Sequence, residues 1–327
     1  MVDIVPIPRR SFLIGGALAL LPALARAQAW PTHSVALIIP FPAGGAMDLL
    51  GRGVAQDLAE KLGQPFVVDN RVGAAGNIGA MAAAKAPPDG YTILMAGASS
   101  LALNKFMFAT MPYDPEQELT PITIVSKLPH VFVANPKVEA STLKELVDYA
   151  KANPGKLNAG VPGAGTTAHV TLEAFMAQTG AKMTVVTYRA EPQMLTDLVG
   201  GQLDVACTLT TSPGPHVQAG RLRALAVTSA KRAEQVPEIP TIMESGIPDF
   251  EVTVWQGYAM PKGTAKAHLA NIHAAMMKAL ASPELKKRFF DNGVAAAPQT
   301  PDEFVKFINV ERAKWKKAVA LSGAKVE

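Results

Sequence analysis

The feature that most constrains the fold is a strand, a Pro/Gly loop and a helix in immediate succession. Val35 to Ile39 is an apolar, β-branched run of strand length. Leu49, Leu50, Val54, Leu58 and Leu62 then recur at helical spacing, and Gly63 stops the helix. Between them lies Pro40-Phe41-Pro42-Ala43-Gly44-Gly45-Ala46-Met47-Asp48. Its two glycines free the backbone and clear side chains from the helix start. First-turn N–H groups have no internal acceptor, and the helix dipole adds partial positive charge. Such a place binds anions, carboxylates included. Glycine could equally serve there only to turn the chain.

Two similar units follow. Pro65 to Asp69 reads as a strand, Arg71 to Asn77 as a glycine loop and Ile78 to Lys85 as a helix; Tyr91 to Met95 is a third strand, leading to Ser99-Ser100. Three strand–loop–helix units imply a parallel sheet with right-handed crossovers, whose ligands bind beyond the carboxyl ends of the strands. After an extended stretch from Ile122 to Val133, a second set begins. It has strands at Leu157–Val161, Lys182–Tyr188, Leu203–Thr208 and Leu222–Thr228, with helices at Leu143–Ala152, Ala168–Thr179 and Pro192–Val199. Glu251 to Met260 is extended again, and the remaining helices are too few for a third domain. The predicted fold is therefore α/β, with two Rossmann-like lobes joined by two extended crossover segments. Lobe 1 takes residues 28–125 and 255–327, and lobe 2 takes 126–254. Val161-Pro162-Gly163-Ala164-Gly165 repeats the strand–Gly loop–helix pattern of the first unit. If the lobes face each other, two helix starts open into one gap, and a ligand would close it.

The N-terminus predicts an export leader over residues 1–27. Arg9-Arg10 precedes an apolar, alanine-rich run, and Ala25-Arg26-Ala27 fits a small-residue cleavage site. The run is too short for a convincing membrane span. Arg9-Arg10-Ser11-Phe12-Leu13 resembles a twin-arginine signal, with Sec export as the alternative. The predicted location is the periplasm. A chain of 327 residues with one cysteine, Cys207, forms no internal disulfide and must rely on its core. Cys207 sits in an apolar strand and reads as packing. A formal charge of +4 gives no argument for nucleic acid.

Catalytic constellations are sparse. There is no Gly-x-Ser-x-Gly elbow, no P-loop and no His pair at i, i+4, and no metal site or cofactor is expected. Helix carboxylates such as Asp57, Glu60 and Glu173 read as solvated. One motif points elsewhere. Gly163-Ala164-Gly165-Thr166-Thr167-Ala168 fits the dinucleotide fingerprint, with Glu191 roughly where a ribose-binding acid belongs. It keeps an exported nucleotide-dependent oxidoreductase open as the alternative function. In a cleft, Thr166, Thr167 and His169 would instead donate to a carboxylate; as plain structure they are a cap and first-turn residues.

These residues resemble a known family, the tripartite tricarboxylate transporter substrate-binding proteins, or Bug receptors. The resemblance rests on Pro40 to Asp48, Leu62-Gly63-Gln64-Pro65, Val68 to Gly79, Pro88 to Thr92, Leu195 to Val205 and Gly220 to Thr228. It implies an exported two-lobed receptor of the type II periplasmic binding fold, not an enzyme, that captures a small carboxylic acid. Its partners would be the membrane components of a transporter or, if it is used for sensing, a signalling protein; a monomer is expected. The resemblance puts the ligand carboxylate at Phe41, Pro42, Ala43, Gly44, Gly45, Ala46 and Asp48, held largely by backbone and water. It adds Ser99 and Ser100, and a second-lobe loop of Gly163, Ala164, Gly165, Thr166, Thr167 and His169. Two places depart from the family pattern, Tyr188-Arg189-Ala190-Glu191 and Thr208-Leu209-Thr210-Thr211-Ser212. Arg189, Glu191, Thr208 and Thr210 are therefore expected to shape the far end of the pocket.

Overall fold

A computed structural model describes residues 30–291 and 294–323. The predicted leader, residues 1–27, lies outside the described residues. Strand β1 (Val35–Ile39) pairs in parallel with β2 (Phe66–Asn70) and β3 (Thr92–Gly97). Helices α1 (Ala46–Leu62) and α2 (Asn77–Ala84) make the crossovers. The segment after β3 has no element read from its sequence. It forms a π-helical turn, Ser99–Leu103, running into α3 (Asn104–Met107). All five residues of that turn are buried, so tertiary packing rather than a sequence period sets its shape.

The long strand β4 (Leu119–Ala134) organises the molecule. From Leu119 to Pro129 it pairs antiparallel with β9 (Thr253–Pro261). From His130 to Ala134 it pairs with β7 (Val205–Leu209), and from Val131 to Ala134 with β8 (Arg223–Val227). Strand β5 (Asn158–Val161) lies parallel between β7 and β6 (Thr184–Thr187), giving the order β2-β1-β3-β9-β4-β7-β5-β6. Both predicted crossovers are thus β4 and β9, and they pair with each other. The two lobes share one continuous, curled sheet.

Helices α4 (Leu143–Ala152), α6 (Glu191–Gly200) and α7 (Gly214–Gln218) belong to the second lobe, and each lobe has its own core. Leu37, Ile39, Val54, Leu58, Ile93 and Met95 pack with Ile272 and Met276 of α8 (Lys266–Ala281) and Leu285 of α9 (Pro283–Asp291). In the second lobe, Phe132 of β4 meets Phe175 of α5 (Thr167–Thr179), ring centroids 4.6 Å apart. Cys207 is fully buried there, and burial pushes its thiol far up, as suits a packed strand residue. Asp57 departs from its expected solvated role. It is buried, because the α8–α9 turn packs over α1 and Ser282 donates to its carboxylate at 3.2 Å.

The last helix, α10 (Pro301–Ser322), starts with a capping box between Thr300 and Glu303. It packs on the Ser99–Leu103 turn and on α5 of the second lobe, with Val170, Phe304, Ile308 and Trp315 in one cluster. Among the described residues no helix is long and apolar enough to cross a membrane. Where α10 crosses β9, Gly257 leaves no room for a side chain: a Cβ would sit 2.5 Å from the Thr123 carbonyl oxygen and 2.7 Å from Phe304. Gly257→Ala is expected to destabilise the fold by about 1–3 kcal/mol through overpacking, read as a lower midpoint in urea unfolding.

Candidate functional site

A cavity of ≈ 670 Å³ lies between the lobes. The first lobe contributes the start of α1, the loop Val72–Gly76, the Ser99 turn and Phe108; the second contributes 162–164, 166–168, 187–192 and Leu209. The crossover strands line it with His130, Val254, Trp255 and Gln256. Its position beyond the carboxyl ends of β1, β3, β5 and β6 is the one the α/β topology dictates.

The two lobes present their glycine loops by one device. In α1 the third residue, Asp48, reaches back and accepts the Gly44 N–H at 3.0 Å. In α5 the third residue, His169, does the same, its Nδ1 accepting the Gly165 N–H at 3.1 Å. Both glycines are left-handed, φ 79° and 74°, a conformation that costs little only without a Cβ. Each brace secures the residue just before the N-cap. The first-turn amides of Ala46 and Met47, and of Thr167 and Ala168, have no acceptor within their own helices. Thr166 is the α5 N-cap and donates to Gly163 O at 2.9 Å.

Asp48 is the centre of a further clamp. Arg52 Nε donates to it at 2.9 Å and Asn70 Nδ2 at 2.9 Å, while Asn70 also holds Phe41 O at 3.0 Å. Burial alone would raise the Asp48 carboxyl, but the hydrogen bonds from Arg52, Gly44 and Asn70 outweigh it and hold the group below its ordinary value. Behind Ser99-Ser100 runs a buried polar chain. The Ser100 hydroxyl accepts from Gly97 N–H (3.1 Å), and Tyr113 donates to Ser100 O (2.7 Å). Asn104 donates to Asn77 (2.7 Å) and to Ala75 O (3.1 Å). That last bond helps hold Ala74 and Ala75 at φ 47° and 51°, unusual for residues with a Cβ, in the cavity wall.

In the second lobe Thr208, fully buried, donates from Oγ1 to Glu191 Oε1. Burial pushes the Glu191 carboxyl up, against the opposing hydrogen bonds of Thr208 and Ser212. Tyr188 donates to Asp197 at 2.9 Å, and burial, reinforced by that carboxylate, pushes its phenol up to about 12.

Of the residues singled out from the sequence, Phe41, Pro42, Gly45, Ser99, Ser100, Gly163, Ala164, Thr166, Thr167, Arg189 and Glu191 line the cavity. Gly44, Asp48, Gly165 and His169 stand behind them as braces. Ala43 is exposed at the loop, and Ala46 begins α1. Thr208 meets the cavity only through Glu191, and Thr210 is buried with its hydroxyl unpartnered. Sequence reasoning missed His130, Trp255, Gln256 and Phe108. A lone histidine in the apolar run of β4 was the one available hint. His130 is fully buried, which pushes its imidazole down to about 3. Its neutral ring lies between the hydroxyls of Thr167 (3.3 Å) and Thr171 (3.2 Å).

Two α/β lobes on a pair of crossover strands, with a cavity walled by both, form the architecture of periplasmic-type binding proteins. The model of the tripartite tricarboxylate transporter family receptor matches residues 50–323, and the chain belongs to that family. It is 35% identical to protein BugT of Bordetella pertussis over 304 residues, 92% of this chain and 93% of that protein. It superposes on R. palustris Rpa4515 with adipate at TM-score 0.87 and 33% identity, covering 91% of this chain and all of the other. MatC of Rhodopseudomonas palustris with bound malate gives TM-score 0.82 at 26% identity, covering 88% and 99%.

The Asp48 clamp carries a pH signature. A carboxyl held below its unfolded value contributes stability above the ordinary range, and the contribution is lost as pH falls through the folded value. Asp48→Asn is expected to cost about 0.5–1.5 kcal/mol at neutral pH by weakening the hydrogen bonds from Arg52, Asn70 and Gly44. The gap to the wild type is expected to narrow below about pH 4, as measured by urea unfolding across pH.

Proposed function

We propose that this chain is a periplasmic solute-binding protein that captures a small organic acid between its lobes for a tripartite tricarboxylate-type transporter. One observation carries the reading: two braced helix starts, one per lobe, open into the same cavity. Each offers unsatisfied N–H groups and the positive end of a dipole, and a carboxylate satisfies both without a cationic side chain. The adipate and malate bound by its structural relatives are carboxylates of this kind. The oxidoreductase alternative loses support. Its ribose-binding acid would be Glu191, whose carboxylate is engaged by Thr208 in the wall, and the relatives found are receptors and binding proteins.

The lobes, taken as 28–125 with 255–327 and as 126–254, are read as closing about the β4–β9 pair when both loops engage one ligand. Small-angle scattering at saturation is expected to show a smaller radius of gyration than for the free protein; an unchanged radius would argue against closure.

A thermal-shift screen of carboxylic acids on the mature chain is expected to find stabilising ligands, since binding to the folded form raises stability by mass action. Gly45→Val puts a branched side chain at the mouth of the α1 helix start, where a Cβ already lies 3.4 Å from Pro42 O. Affinity for the best acid is expected to fall at least about tenfold by calorimetry, roughly 1.4 kcal/mol, in a folded variant. Unchanged affinity would place the anchor elsewhere.

A further inference from the structure

Resting on the receptor reading above, we infer that the cavity selects an acid with one carboxylate, a bulky apolar body and an uncharged polar end, and that Glu191 turns away a second carboxylate.

Three observations converge on this. The first is size and lining. A cavity of ≈ 670 Å³ falls in the range that encloses drug-sized ligands, well beyond what a four-carbon acid fills. Its apolar lining includes Phe41, Met47, Phe108, Leu209, Val254 and Trp255. Rings and aliphatic groups of this kind match an aromatic or comparably bulky body, whose burial supplies hydrophobic free energy.

The second is the distribution of charge. Among the described residues lining the cavity, Arg189 is the one permanent cation, and it is exposed. His130, buried between two threonine hydroxyls, is neutral. The helix starts supply partial positive charge for a carboxylate, and no buried cation among the described lining residues stands ready for a second one beside Glu191.

The third is Glu191 itself. It lines the cavity on the second-lobe side, and its carboxylate is fixed by the Thr208 hydroxyl. Thr208 is fully buried, so the pair is part of the wall and not a side chain free to swing into solvent. A ligand carboxylate beside it meets a like charge in a poorly solvated cleft, or Glu191 must first take up a proton. Either route costs free energy at neutral pH and above. A ligand hydroxyl or amide in the same place donates to Glu191 and meets no such cost.

The test uses matched acids on the purified mature chain at about pH 8, where carboxyl groups favour the charged form. One pair is 4-hydroxybenzoate and terephthalate; the other is 6-hydroxyhexanoate and adipate. Calorimetry is expected to show the hydroxy acid of each pair binding at least about tenfold more tightly than its diacid, as like-charge juxtaposition requires. The aromatic pair is expected to bind more tightly than the aliphatic one. Glu191→Gln is expected to raise diacid affinity and collapse the ratio. The inference is overturned if either diacid binds wild type as tightly as its partner, or if the Gln variant keeps the wild-type ratio within about twofold, a difference of only about 0.4 kcal/mol. The wild-type ratio needs no variant, so a misfolded substitution does not leave the matter open. If none of the four acids binds while another acid of the screen does, the inference falls and the receptor reading stands. If no acid binds, both fall.

Discussion

The antiparallel pairing of β4 with β9 is the constraint on which the rest of the structure depends. It makes the two lobes one sheet, because β4 exchanges β9 for β7 and β8 as it passes from Pro129 to His130. The same strands line the cavity between the lobes, through His130, Val254, Trp255 and Gln256. Trp255 is held from outside as well: its indole N–H donates to the buried carboxylate of Glu311 on α10 at 2.9 Å, and its ring lies edge-on to Phe304, centroids 5.6 Å apart. A side chain in contact with the cavity is thus packed against the helix that touches both lobes. Any motion of the lobes must be absorbed by twisting of this strand pair, since no flexible linker separates them.

The two glycine loops show how a cavity poor in cationic side chains can still present partial positive charge. A cationic side chain would bind a carboxylate strongly but would have to be desolvated first. Backbone amides at a helix start are already oriented and carry only partial charge. The requirement is that the loop before the helix be stiff, and both lobes meet it in the same way, with the third helical residue holding the amide of a left-handed glycine. An acid serves in the first lobe and an imidazole in the second. The chemistry of the brace differs while its geometry is kept. Asp48 spends its charge on Arg52, Asn70 and Gly44, behind the loop, so the cavity face keeps its positive character.

Two chains of buried hydrogen bonds stiffen the walls. Asn104, Asn77, Tyr113 and Ser100 form one chain of hydrogen bonds behind the first-lobe wall. His130, Thr167 and Thr171 form another at the crossover. Each holds cavity-lining backbone in place without adding formal charge, which keeps the interior favourable to an apolar ligand body.

The strand–loop–helix order was legible in the sequence because hydrophobic period and glycine placement are local properties. Val35–Ile39, Leu49 to Leu62 and the extended runs near 122–133 and 251–260 lie close to where β1, α1, β4 and β9 form. The first-lobe loop and the Gly163–Thr167 loop could be read as binding elements for the same reason. Other features had no local mark. Nothing near Ser99 announces a π-helical turn, since its shape follows from burial under α10. Asp48 and His169 look like ligand contacts in sequence, and only folding shows that they turn back onto Gly44 and Gly165. Thr208 and Glu191 lie 17 residues apart and meet because β7 and the chain after β6 flank the same end of β5. The sequence by itself determined which segments are strands, helices and anion-ready loops, since those depend on neighbours along the chain. The tertiary structure alone decided which side chains face the cavity and which brace it, since that depends on contacts between residues far apart in sequence.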